Sequence, residues 1–392
     1  MSTFTEPVAT PGLSSPPPAH AKDRLLSLDV FRGMTLVLMT FVNDHGSPHL
    51  GYAPFMHAKW NGWTPTDLVF PFFLFIVGVA VPFAFAGRLE RGESNGKLYA
   101  HIVYRAAILF VLGVFLNCFP RDGGPWFDFS TLRILGTLQR IGLCYLAASV
   151  IYLNVKSRGQ AIITTSLLVF YFIMMKFVPV PGHGAGIFER DGNWVQYIDM
   201  HLMPGHLQSG NWEGKGLFST LPAIANTLIG VLVGQYLRSS RPALEKIAKF
   251  FLIGNAMMFL GLVWSVWFPI SQNLWTSSLV LFMCGMALVI FTGCYYLVDV
   301  KKVTWWTKLF VIFGVNSITI WMGEWILYSI LVSIMVHPAG GAAVSVWALI
   351  YTHLFASWAG PLHGSELMAL SNVLLWSAIL ALMYKKRIFI KV

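Results

Sequence analysis

The sequence predicts an all-α, polytopic integral membrane protein: a helical bundle of about ten transmembrane helices with one further outer interfacial helix. Four observations carry this. The chain is 56% hydrophobic and only 11% charged, where a soluble domain carries about 25% charged residues. Its mean hydropathy is +0.64. Apolar runs of roughly 20 residues, long enough to cross a bilayer core, recur along the chain. Basic residues collect between those runs rather than within them.

The first element is a tail. Residues 1–22 hold Pro11, Pro16, Pro17 and Pro18 among small and polar residues, a composition that predicts disorder. With no basic region followed by an apolar stretch, the tail does not read as a cleaved signal peptide. Residues 23–392 are then a single transmembrane domain, with spans expected at 27–43, 67–87, 100–118, 134–153, 161–178, 217–236, 247–268, 275–297, 309–335 and 367–384.

Charge fixes the orientation and the count. Lys22 and Arg24 precede the first span; Arg88, Arg91 and Lys97 follow the second. Lys156 and Arg158 follow the fourth, Arg238, Arg241, Lys246 and Lys249 the sixth, and Lys301, Lys302 and Lys308 the eighth. All fall on one side, which the positive-inside rule makes cytoplasmic. The closing cluster Lys385, Lys386 and Arg387 joins them only if the spans number ten. The apolar stretch 343–357, short and carrying His353, is therefore expected to lie at the outer interface. The outer loops 44–66, 119–133, 179–216, 269–274 and 336–366 are rich in Gly, Pro, His, Trp and Asn. That composition suits sugar binding, although Trp also anchors helices at the interface.

The formal net charge of +10 is accounted for by these basic loops, which face anionic lipid, so nucleic acid is not an expected partner. Cys118, Cys144, Cys284 and Cys294 lie in or beside apolar runs with no CxxC spacing, and they read as small buried residues. The sequence holds no nucleophile elbow, Walker loop or dinucleotide fingerprint in a suitable setting. Gly46 and Pro48 separate His45 from His49 and prevent a helical ligand pair, so no metal site is expected.

Polar groups gather in and after the first span. An ionisable residue within a span costs at least ~2.5 kcal/mol on insertion scales and is a functional candidate. Arg32 and Asn43 are eleven residues apart, close to three helical turns, so they share a face about 16 Å apart along the axis. A phosphate held at Arg32 could present a reactive group near Asn43. The alternative is that Arg32 pairs with Asp29 and snorkels. Arg105, Arg133 and Arg140 interrupt or flank later spans, with Gln139 beside Arg140. They offer guanidiniums to a polyanion or else pair with Asp29, Asp67, Asp128 or Glu324. His57, in the first outer loop, could take a proton or an acyl group.

These residues carry a resemblance. Leu28-Asp29-Val30-Phe31-Arg32-Gly33, Val42-Asn43, His57-Ala58-Lys59-Trp60-Asn61-Gly62 and Asp67-Leu68-Val69-Phe70-Pro71 resemble the heparan-α-glucosaminide N-acetyltransferase family. So do Arg133-Ile134-Leu135-Gly136, Leu138-Gln139-Arg140-Ile141-Gly142, Ser219-Thr220-Leu221-Pro222, Asn316-Ser317-Ile318 and Tyr384-Lys385-Lys386-Arg387-Ile388-Phe389. The likeness covers nearly the whole chain after the tail. It implies an enzyme that takes acetyl-CoA from the cytosol and acetylates a glucosamine amine on the far side of the membrane.

On that resemblance, His57 and Asn43 are the catalytic candidates, and His57 is either acetylated or a general base. Arg32, Arg105, Gln139, Arg140 and Asn316 are the donor-binding candidates, and Asp44, Trp60, Asn61 and Asp67 face the acceptor. The chain lacks the large lumenal region and extra first span of the lysosomal enzyme, and it has no Asn-x-Ser/Thr sequon. Both point to a multi-pass protein of a bacterial inner membrane with cytoplasmic termini. The expected partners are acetyl-CoA, a sugar or glycan acceptor and membrane lipid, with homodimer assembly left open. A transporter of a sugar or acyl-linked metabolite is the competing reading.

Overall fold

The computed structural model describes residues 25–119, 124–337 and 342–390; the expected tail 1–22 lies outside the described residues. The fold is an all-α helical bundle. Its long helices are α1 Leu26–Asn43, α2 Val69–Glu90, α3 Asn95–Asn117, α4 Thr137–Asn154 and α5 Ser157–Phe177. A short α6, Trp194–Leu202, precedes α7 Thr220–Leu237, α8 Ala243–Trp264 and α9 Ser277–Cys294, which runs on through a π-helical turn Tyr295–Val300. Then come α10 Lys308–Val315, α11 Ser317–Ser333, α12 Val346–Ile350, α13 Ser357–Ala359 and α14 Pro361–Lys385. Among the described residues the one sheet is a two-residue antiparallel pair, Met335–Val336 with Val344–Ser345.

Burial sorts the helices into a centre and a rim. The apolar windows of α1, α2, α7 and α9 are between 61% and 72% buried, whereas those of α3, α5, α8 and α14 are between 17% and 33% buried. The rim helices leave large apolar side chains uncovered, among them Val111, Ile162, Phe259 and Leu374. Water would not tolerate such faces on a monomer, and hydrocarbon does.

Small residues bring the central helices together. A Cβ at Gly78 of α2 would collide with the backbone of Thr227 on α7, and one at Gly230 would meet the carbonyl of Phe75. Gly33 of α1 and Gly314 of α10 likewise sit against Phe310 and Asp29. Close backbone approach of this kind supplies packing contact that apolar burial alone does not give in lipid. Asn226 Nδ2 adds a bond of 3.1 Å to the Pro71 carbonyl between α2 and α7.

Among the described residues, eight helices are long and apolar enough to cross a membrane, and nine if the bent pair α10–α11 is one span. They match nine of the ten expected spans. The tenth, α4, has 18 residues, but Gln139, Arg140 and Asn154 leave it outside that set. Two differences from the expected pattern are geometric. The span expected at 309–335 is broken by 79° between α10 and α11, at Asn316, which is fully buried. The stretch expected at 343–357 is helical from Val346 to Ala359 through a π turn, and Gly360, at φ 78°, separates it from α14.

The two ends of the bundle differ. At one end Arg238 pairs with Glu90 at 3.1 Å, Tyr99 Oη donates to Asn154, and the Ser27 amide donates to Asp299. This end carries the basic clusters. At the other end the long loops interlock: Trp60 Nε1 donates to Phe188 O at 2.7 Å, Ser271 Oγ to Trp60 O at 2.8 Å, and Trp126 Nε1 to Ser333 at 2.9 Å.

Candidate active site

The loop-rich end is organised around one carboxylate. Pro65 opens a short 3-10 helix, Pro65–Leu68, with Thr64 at its N-cap, and Thr64 and Asp67 form a reciprocal capping box. That motif satisfies amides that the helix start would leave unpaired. Asp67 Oδ2 accepts the Thr64 amide at 2.9 Å and the Ala58 amide at 3.1 Å. Its other oxygen, Oδ1, lies 2.6 Å from His57 Nδ1. The Asp67 side chain is 2% exposed and that of His57 is 60% exposed. The carboxylate is thus fixed from behind, with one face of the imidazole open.

This geometry sets the tautomer. An ionised carboxylate can only accept, so Nδ1 carries the proton and Nε2 keeps a lone pair. A base held by a buried carboxylate in this way can remove a proton from an incoming group while the carboxylate stabilises the imidazolium that forms. Thr64 Oγ1 donates to Met56 O at 2.7 Å and locks the segment that leads into His57.

A cavity of about 270 Å³ opens among the ends of α1, α3 and α4, the body of α11 and the loop before α7. Asn43, Asn117, Gln139, Arg133, Lys215 and Glu324 line it, with Trp321 and Trp325. Arg133 forms a paired contact with the fully buried Glu213, Nε to Oε2 at 2.8 Å and Nη2 to Oε1 at 2.5 Å. Glu213 also takes the Gln208 and Lys215 amides, at 3.1 and 2.8 Å, which pins the loop against the cavity.

Burial, the main influence, pushes the Lys215 ammonium down to about 8, with the Arg133 cation acting the same way against the pull of Glu213. Burial also pushes the Asp199 carboxyl up to about 7, opposed by the Leu217 amide that bonds it at 2.9 Å. His45 is lowered by burial against the pull of Glu366, whose carboxylate it approaches at 3.5 Å.

The structure therefore brings some of the expected residues together and separates others. His57 and Asp67 are in contact, while Asn43 and Gln139 line the cavity. Trp60 packs edge-on against Trp212 at 4.9 Å, bonded to Phe188 as described. Asn61 is exposed and Asp44 is buried, its carbonyl accepting from Asn372 at 3.5 Å.

Of the donor-binding candidates, only Gln139 reaches this cavity. Arg32 sits 3.4 Å from Asp29. Arg105 lies over the Tyr145 ring at 4.8 Å. Arg140 is enclosed, lying 5.2 Å over the Trp275 ring and bonded to Gly216 O at 3.0 Å and to Ser219. Asn316 is buried at the α10–α11 break.

Lys215, Gln208, Glu213 and the pair Trp321 and Trp325 did not stand out in the sequence. One signal was available, since Lys215 is the only lysine of the 179–216 loop. Among the described residues no cluster of three or more His, Cys, Asp or Glu could hold a metal ion.

A domain of unknown function, DUF5009, matches residues 24–202. Heparan-alpha-glucosaminide N-acetyltransferase from Mus musculus is 29% identical over 359 residues, covering 78% of this chain and 54% of the mouse protein. The Homo sapiens protein is 30% identical over 371 residues, covering 81% of this chain and 54% of the human one. The chain spans about half the length of these curated relatives. It is a multi-pass helical membrane protein, homologous to heparan-alpha-glucosaminide N-acetyltransferase over about four-fifths of its own length.

Proposed function

We propose that the chain is a transmembrane acetyltransferase, with residues 23–392 as one catalytic domain in a bacterial inner membrane. It draws acetyl-CoA from the cytosolic side and acetylates an amino sugar or other glycan on the periplasmic side. Both termini lie in the cytoplasm, so the basic end of the bundle faces inward. The reading is supported by the name of the homologues and, above all, by the His57–Asp67 pair at 2.6 Å.

In this reaction His57 Nε2 takes the proton of the acceptor amine or hydroxyl as its nitrogen or oxygen attacks the acetyl carbonyl. The new C–N or C–O bond forms as the thioester C–S bond breaks, and CoA leaves as the thiol. Asn43, on the cavity wall, donates to the developing oxyanion. Donor phosphates are held by arginines nearer the basic end, with Arg32 the foremost candidate.

Purified protein incubated with acetyl-CoA and a panel of amino sugars, with products read by mass spectrometry, tests the activity. His57→Ala protein that folds normally but turns over like the wild type would end the assignment.

The 79° break between α10 and α11 favours one competitor, since discontinuous helices are common in transporters. A transporter predicts substrate flux without dependence on CoA. Acetyl-CoA at a hundred times its Kd stabilises a specific binder by about 2.7 kcal/mol. The absence of any thermal shift would favour the transporter.

A further inference from the structure

The cavity lined by Asn43, Gln139 and Glu324 contains a cation that forms no ion pair among the described residues. Lys215 lines it, only partly exposed, and among the described residues its Nζ makes no hydrogen bond or ion pair. The nearest obvious partner, Glu213, is fully committed. Its Oε1 takes Arg133 Nη2 and the Lys215 amide, and its Oε2 takes Arg133 Nε and the Gln208 amide. Through that amide bond the loop holds the lysine at the cavity wall while leaving its ammonium unsatisfied.

An enclosed ammonium with no partner is unfavourable, and here Arg133 and Arg140 add positive charge while Glu213 and Asp67 oppose it. The influence of Asp67 also places Lys215 within electrostatic reach of the carboxylate that orients His57. Glu324 lines the same cavity and accepts from Thr40 without pairing with Lys215, so a ligand anion is what would complete the ammonium.

The rest of the lining narrows the ligand. Trp321 and Trp325 are four residues apart on α11 and so present their rings on one helix face. Asn43, Asn117 and Gln139 supply amides from three other elements. Flat aromatic surfaces with amides suit a sugar ring, whose C–H face stacks and whose hydroxyls hydrogen-bond. About 270 Å³ is at the lower end of small-molecule pockets, roughly 300 Å³ and upward, which admits one sugar ring rather than a nucleotide.

We propose that this cavity is the acceptor subsite and that Lys215 recognises an anionic substituent on the sugar, a carboxylate, sulfate or phosphate, so that the acceptor is an acidic amino sugar. The inference rests on the acetyltransferase reading and adds the class of acceptor and the residue that selects it.

The test compares kcat/KM for glucosamine, glucosamine 6-phosphate, glucosamine 6-sulfate and muramic acid in wild-type, Lys215→Met and Lys215→Arg protein. The wild type should favour the acidic sugars by about tenfold or more, the scale of one charge-assisted hydrogen bond. Lys215→Met should bring that ratio close to one through KM, and Lys215→Arg should restore most of it. A wild type indifferent to charge overturns the proposal, as does Lys215→Met lowering turnover of neutral and acidic sugars equally.

A KM for acetyl-CoA that rises in Lys215→Met, with acetyl-pantetheine unaffected, would assign the anion to the donor's phosphates instead and also overturn it. Thermal stabilisation by glucosamine 6-phosphate without any donor, present in wild type and Lys215→Arg and lost in Lys215→Met, reads the site independently of catalysis. If that binding holds while no sugar is acetylated, the activity reading fails and the subsite stands. If no such binding occurs, the subsite fails.

Discussion

Asp67 Oδ1 lies 2.6 Å from His57 Nδ1, and the second oxygen of the same carboxylate caps the turn Pro65–Leu68 that carries it. One buried group therefore sets both the tautomer of the imidazole and the path of its loop. Asp67→Asn separates the two roles. The amide can still accept backbone N–H groups at its oxygen, but it no longer stabilises an imidazolium. Transfer should fall by about 10²- to 10⁴-fold, with a stability loss of about 1 kcal/mol or less. Steady-state kinetics and thermal unfolding on the same preparation check this, and near wild-type turnover would remove Asp67 from the mechanism.

Lys215 gives the site a pH signature. Its ammonium is pushed down to about 8, so the cation is present below that pH and lost above it. Selectivity for acidic over neutral acceptors should be full near pH 6.5 and decline through pH 8 to 9. A bound anion favours the charged form and moves the decline upward. Arg133, Arg140, Glu213 and Asp67 act on this lysine, and Glu324 shares its cavity. A selectivity ratio flat from pH 6 to 9.5 contradicts the expectation.

Asp199 offers a stability test. Its carboxyl is pushed up to about 7, and its buried Oδ2 has no hydrogen-bond partner. A raised carboxyl means that the folded state binds more protons than the unfolded one between about pH 4 and 7. Stability from this group is present below that window and lost as the pH rises through it. Asp199→Asn, neutral at every pH, should therefore raise the melting temperature more at pH 8 than at pH 5. Equal shifts at both would count against a buried, protonating Asp199.

Gly78 and Gly293 make a matched pair in the central helices. A Cβ at Gly78 meets the backbone of Thr227, while one at Gly293 meets nothing within 4 Å. Gly78→Ala should cost about 1 to 3 kcal/mol through separation of α2 and α7. Gly293→Ala should be neutral or gain up to about 1 kcal/mol from helix propensity. Thermal unfolding in one detergent orders the two variants.

The bundle was legible because spans and loops differ in composition along the whole chain. Basic residues mark one end, and apolar length marks the crossings. The break at Asn316 was not legible, since Gly314-Val315-Asn316-Ser317 sits inside a run that remains apolar on both sides. Arg140 shows a second limit. A guanidinium in a span looks the same in sequence whether it lines a cavity or lies enclosed on Trp275, and only packing distinguishes the two. Lys215 belongs to a loop with no helical or strand period, so its approach to residues of α1, α3 and α11 depends on contacts such as Glu213 with Arg133, eighty positions apart.

The stretch from Met56 to Asp67 is different in kind. The carbonyl of Met56, the amide of Ala58, the Thr64 amide and hydroxyl, and the Asp67 carboxylate set the imidazole, and all come from twelve consecutive residues. The segment orients its own histidine through local bonds, while Phe188, Ile270, Ser271 and Gln272 tie it to the bundle through Trp60, Gly62 and Asp67. The aim of the histidine is thus written within one loop, and its depth in the protein is written by residues 128 to 211 positions away.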